Sequence, residues 1–222
     1  MHHCNIGLPL RLSPLCHKEQ SLCFFGAICG TRPITSLTLL RQGGIPAAGL
    51  ADVVALARAP KGSLYHYFPQ GKSQMVVEAL NRYRELVNEQ LAVALSSEGN
   101  LSQRVARLFQ DVAQRMASSG YNQSCAVGAV VLDLRSGDDA LRAACQAALA
   151  QWAETAAIHL QELPDSRRLE AGRLLVNLLE GAQLASRAAG HGGSLTEAGN
   201  CFATYAQAIC EGASKTVLPT SK

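Results

Sequence analysis

From Ser73 to Leu95 apolar side chains return every three or four positions, at Met75, Val76, Ala79, Leu80, Tyr83, Leu86, Val87 and Leu91. That spacing lays one stripe along a helix and predicts a long amphipathic element. The same period predicts a helix over Leu101–Ala117 that buries Val105, Leu108, Phe109 and Val112 and is broken by Ser118-Ser119-Gly120. Ser136, with Asp138 and Asp139 in the first turn, predicts the start of a helix reaching about Leu163, since acids there complement the helix dipole. Asp165 reads as the cap of another, carrying Leu169, Leu174, Leu175, Leu178, Leu179 and Leu184 to about Ala189. Gly190–Gly193 then forms a hinge, and Ser194-Leu-Thr-Glu197 has the spacing of a capping box opening a last helix to about Cys210. The short apolar run Cys125–Leu134 is open between buried helix and strand, because periodicity cannot separate them at that length. Nothing else carries a strand period, so the expected class is all-α.

Ahead of Ser73 the pattern is finer. Residues 1–30 show no sustained period and are rich in Cys, His, Pro and Gly, which predicts a poorly ordered leader. A short helix is expected over Ile34–Gln42, entered after Pro33 and stopped by Gly43-Gly44. Gly49–Ala57 sets Leu50, Val53, Val54 and Ala57 on one face, and after Pro60 a second short segment, KGSLYHYF, ends at Pro69-Gln70-Gly71. Two short helices across a tight turn make a helix-turn-helix pattern. The first turn of a helix starting at Lys61 offers free N–H groups to a phosphate, and Gly62 lets backbone approach a duplex. Lys61 and Lys72 can neutralise phosphates at its two ends. Ser63, Tyr65 and Tyr67 supply hydroxyls and His66 a donor ring, while Leu64 and Phe68 form the packed face. Most such contacts position a protein on DNA, and one or two read bases.

The stretch GLADVVALARAPK-GSLYHYFPQGK resembles the helix-turn-helix signature of the TetR family, in the branch with an F-P-x-G-K ending. SCAVGAVVLDL, the Trp152 helix and LLVNLLEGAQLASRAAG are similar to that branch's C-terminal body, and the resemblance spans about Gly43–Gly212. It implies a leader over 1–30, a DNA-binding head over 31–72 and a ligand-binding and dimerisation body over 73–222. It also implies operator DNA as partner of Lys61, Gly62, Ser63, Tyr65, His66, Tyr67 and Lys72. A small apolar or amphipathic effector is expected in a pocket lined by Tyr83, Phe109, Met116, Cys125, Trp152 and His159. The last two helices would pair with a second copy, through Gly181, Ala182, Ala185 and Ala189 on one and Gly199, Phe202, Tyr205, Ala206 and Ile209 on the other. The expected function is a palindrome-binding repressor released by its ligand. Two departures stand out. Arg58 occupies the turn where the family usually has glycine, and TRPITSLTLLRQGG is short and holds a proline where the family has a basic amphipathic first helix. Either a wrong start or a shifted frame has replaced that first-helix segment, or the head grips DNA weakly. The second possibility leaves a dimeric ligand-binding protein with impaired DNA binding as an alternative.

Charge agrees with this layout. The formal net charge is +3, yet through Lys72 seven basic residues face only two acidic ones. A basic first third suits a polyanion. No stretch approaches the roughly 20 apolar residues of a membrane span, and no P-loop, dinucleotide fingerprint, H-E-x-x-H or G-x-S-x-G is present, so an enzyme is not expected. No cofactor and no metal are expected either, since His2-His3-Cys4 and Cys16-His17 lack paired ligand spacing. Eight cysteines without a C-x-x-C pair suit a reducing cytoplasm. Cys125, Cys145, Cys201 and Cys210 leave a thiol-based redox signal as a second alternative.

Overall fold

The longest apolar stripes become the longest helices. The computed structural model describes residues 35–57 and 68–216. Among those residues the order is α1 (Thr35–Ala47), α2 (Leu50–Ala57), α3 (Lys72–Leu95), α4 (Leu101–Ser118), α5 (Ala126–Asp133), α6 (Asp139–His159), α7 (Asp165–Ala189) and α8 (Gly193–Thr216), with no strand. The open segment after Cys125 is therefore helical. Ala126, Val127 and Val130 bury one face of it, and Val131 and Leu132 stay exposed on the other. Helix α6 packs between α3 and α7, and α8 lies across α4 and α7. Trp152, Phe109 and Phe202 are the largest fully enclosed side chains of the resulting core. No described helix is long and apolar enough to cross a membrane.

Helix boundaries depart from expectation where side chains find other partners. Helix α6 begins only at Asp139, because the Asp138 carboxylate accepts from the Arg135 N–H at 2.8 Å instead of capping. It ends at His159 and does not continue to Leu163. Leu160 and Leu163 remain buried beyond it, and Arg168 holds that turn by donating to the Gln161 and Leu163 carbonyls at 3.0 Å each. Pro164 stands at the cap of α7, and Asp165 is its first residue, paired with Arg168 at 2.8 Å. Helix α8 starts at Gly193, one residue ahead of the expected capping box, and runs to Thr216. His191 takes the capping role there, its Nδ1 accepting from the Gly193 N–H at 3.2 Å. A true capping box stands elsewhere: Asn100 and Gln103 exchange side chain for backbone at 3.0 Å in both directions and open α4. Leu86, Leu169 and Leu184, expected within stripes, are exposed.

The regular part of α1 stops at the two glycines, as their place in the sequence implies. Gly43 has φ −150° and ψ 23°, and Gly44 has φ 65° and ψ −156°. The reversal aims the Ile45 N–H at the Asp133 carboxylate, 2.7 Å away on the end of α5. That bond fastens the N-terminal helices to the body. A Cβ at Gly44 would run into the same carboxylate. Gly44→Ala is therefore expected to lose about 1–3 kcal/mol from the backbone conformation alone, plus the Asp133 bond. A drop in the urea midpoint of that size, with helix content retained, would show it.

Candidate functional site

Two regions carry chemistry. The first is the end of the helix-turn-helix segment. Lys61, Gly62, Ser63, Leu64, Tyr65, His66 and Tyr67, with Arg58, lie outside the described residues, as do the leader histidines and cysteines. Phe68, directly after them, is buried, and its carbonyl accepts from the Gly71 N–H at 2.8 Å. The chain reverses there, and Lys72 opens α3 with its side chain partly exposed. Lys72 thus stands at the start of a helix that penetrates the body as far as Leu95.

The second region is a cavity of about 90 Å³ inside the body. Helix α3 supplies Tyr83, Leu86 and Val87, α4 supplies Leu108, Arg115 and Met116, and α6 supplies Trp152; Cys125, at the cap of α5, and Glu180 of α7 close it. Tyr83 and Trp152 meet edge to face with ring centres 6.1 Å apart, and the Trp152 Nε1–H donates to the Arg84 carbonyl at 3.0 Å. That bond satisfies the indole polar group and fixes its orientation. Four of the six expected pocket residues, Tyr83, Met116, Cys125 and Trp152, therefore surround one space. The other two do not. Phe109 is core: it lies against Gly199, where a Cβ would come within 3.1 Å of its ring, and so joins α4 to α8. His159 sits at the last turn of α6 and meets the Ser96 hydroxyl at 3.1 Å, away from the cavity lining.

Sequence reasoning missed the polar part of the wall. Burial pushes the Tyr83 hydroxyl and Cys125 thiol well above their ordinary values, and each is raised further by its neighbour in a Tyr83–Cys125–Glu180 hydrogen-bonded series. Glu180 is raised by burial to about 7, partly offset by the Cys125 thiol donating to it. Its position was visible as the one charged residue inside the run Leu174–Leu184. Arg41 comes from α1. Its Nε donates to the Ser124 carbonyl at 2.9 Å and its guanidinium faces the Tyr83 ring at 6.0 Å. Arg187 on α7 secures the same seam, donating to the Gln42 carbonyl at 2.5 Å and the Ser124 hydroxyl at 3.1 Å. Cys145 is also raised by burial, to about 11. Neither it nor Cys125 is set up as a thiolate, which thiol signalling requires.

The expected pairing faces need correction. Ala182, Gly199, Phe202 and Ala206 are buried within this chain, because α8 uses its apolar side to cover α4. The outward positions are Gly181, Leu184, Ala185 and Ala189 on α7, and Cys201, Thr204 and Ala208 on α8. Beside α7, a groove of about 500 Å³ exposes Leu132 (75%), Leu184 (59%) and Val131 (42%).

Comparison with known proteins covers both regions. Residues 35–79 match the family described as bacterial regulatory proteins of the tetR family, and residues 102–201 match the C-terminal domain of LmrA/YxaF-like transcriptional regulators. The HTH-type transcriptional regulator LmrA of Bacillus subtilis is 26% identical over 166 residues, 74% of this chain and 88% of LmrA. An uncharacterized HTH-type regulator of Mycobacterium tuberculosis is 29% identical over 161 residues, 69% of this chain and 81% of its own length. A regulatory protein TetR of Rhodobacter sphaeroides superposes with TM-score 0.70 at 23% identity, over 77% of this chain and 94% of that one.

Proposed function

This chain belongs to the TetR family of transcriptional regulators, and from that premise we propose that it is a dimeric one-component repressor whose hold on operator DNA is released by a small molecule in the cavity. The observation that carries the reading is the cavity with Arg41 in its wall. Arg41 lies within the N-terminal family match, yet it bonds Ser124 of the body. An occupant of the cavity therefore touches the head directly. In this reading residues 31–72 form the head and 73–222 the body. Lys61 and Lys72 neutralise phosphates, and Gly62, Ser63, Tyr65, His66 and Tyr67 contact the duplex. The exposed Leu132–Leu184 groove and the outer face of α7 pair with a second copy. Two heads are then held about one DNA turn, ~34–36 Å, or a compatible longer spacing apart.

Mobility shift with the DNA upstream of its own gene, at two salt concentrations, tests this. Binding is expected to fall steeply with salt, since each neutralised phosphate contributes about −0.9 to the slope of log K against log salt. Lys72→Ala is expected to weaken all sequences alike and to reduce that slope by about one. A dimer that shifts no DNA at low salt would instead support a ligand-binding protein with an impaired head.

A further inference from the structure

The Arg41 guanidinium stands at the cavity with its four terminal N–H donors outside every described hydrogen bond. Its Nε is taken by Ser124, while none of the ion pairs among the described residues includes Arg41. Arg115 lines the same cavity from α4 and has no described carboxylate at ion-pair distance either; Asp111 acts on it only at longer range. The acid in the wall, Glu180, is turned toward Cys125 and toward Gly128, where a Cβ would stand 2.8 Å from its Oε2. Because burial holds Glu180 near neutral, it offsets only part of two guanidinium charges. The lining is therefore net positive around an apolar floor.

A guanidinium presents parallel N–H donors that fit a carboxylate, and a charge-assisted pair is stronger where water is scarce. Size narrows the occupant further. At about 90 Å³ the space is below the ~150 Å³ apolar cavity that accepts benzene, so a short acyl chain is its limit without movement of the walls.

We propose that the effector is a small monocarboxylate, its short chain set against Tyr83, Trp152 and Met116 and its carboxylate on Arg41 with help from Arg115. This rests on the ligand-release reading above and adds the chemistry of the ligand. It also supplies the differential affinity that release requires. The carboxylate is bound by a head residue, so it is bound well only in head positions that bring Arg41 to the cavity.

Trp152 is the sole tryptophan of the chain and lines the cavity, so its fluorescence reports occupancy at this place. Propionate and its uncharged isostere propionamide are the probes, titrated at constant ionic strength. Propionate is expected to bind the wild-type protein about tenfold or more tighter than propionamide, the scale of a hydrogen bond to a charged group. Arg41→Gln is expected to lower propionate to the level of propionamide and to leave propionamide unchanged. Arg115→Gln is expected to act in the same direction with a smaller loss, and it carries the test if the Arg41 variant loses helix content. Equal binding of the two probes to wild type would overturn the carboxylate assignment and leave the ligand-gated reading standing. A Trp152 signal silent to both would overturn the assignment and the cavity's role together.

Discussion

Alanine in place of Gly172 is expected to destabilise the protein by about 3 kcal/mol, at the upper end of what overpacking usually costs. Gly172 is a buried residue of α7 with ordinary helical surroundings, where alanine would by propensity alone be better by up to about 1 kcal/mol. The sign reverses because of what lies opposite. A Cβ there would run into the Ala153 carbonyl oxygen and stand 3.1 Å from the Ala157 nitrogen. Both are backbone atoms of α6, and neither can rotate aside as a flexible side chain would. The two helices must separate, and with them the wall that carries Trp152. Urea unfolding of the variant at neutral pH measures the loss. A midpoint equal to or above wild type would mean that α6 and α7 do not meet at this glycine.

Glu180→Gln is expected to stabilise the protein above neutral pH by up to about 3 kcal/mol, since a tenfold difference in proton affinity between the folded and unfolded states is worth about 1.4 kcal/mol. The folded protein holds the Glu180 proton to about 7, against 4.5 for the free side chain. A raised carboxyl pKa means that the native state binds the proton more tightly than the unfolded state. Stability from this group is thus greatest below about 4.5, declines as pH climbs toward about 7, and is level beyond. Glutamine imitates the protonated acid at every pH and can still accept from the Cys125 thiol. The difference in unfolding free energy between variant and wild type should therefore be small near pH ~4 and reach its full value near pH ~8. Parallel curves across that range would show that Glu180 is solvated like a surface acid.

How much of this can be read from the sequence depends on how local the cause is. The stripe from Met75 to Leu91 specifies α3 within one residue at its start, because a long amphipathic period has one solution. The end of α6 is not legible in the same way. Leu160 and Leu163 continue the apolar pattern and are buried as it implies, but the backbone has already turned, and Arg168 from the next helix holds it there. Hydrophobic spacing reports which side chains go inside, and only indirectly the path between them. The capping box at Ser194 is displaced by a single residue, since His191 competes for the first free N–H. In the cavity, Tyr83, Met116, Cys125 and Trp152 are legible as large or soft side chains on inward faces. Arg41 is not, because its partner Ser124 is 83 positions away. Phe109 has the same sequence signature as the true lining residues, and only the nearness of Gly199 sets it apart.

Arg187 joins the carbonyl ends of α1 to α7, the helix whose outer side is the proposed seat of a second copy. In such a pair the roll of one rod about its neighbour would set the distance between the two reading heads. Operators carrying one extra base pair at their centre displace a half-site by about 3.4 Å along the axis and rotate it around the duplex. A regulator geared in this way should discriminate sharply against them, and substitutions on the outside of α7 should retune which half-site spacing it prefers.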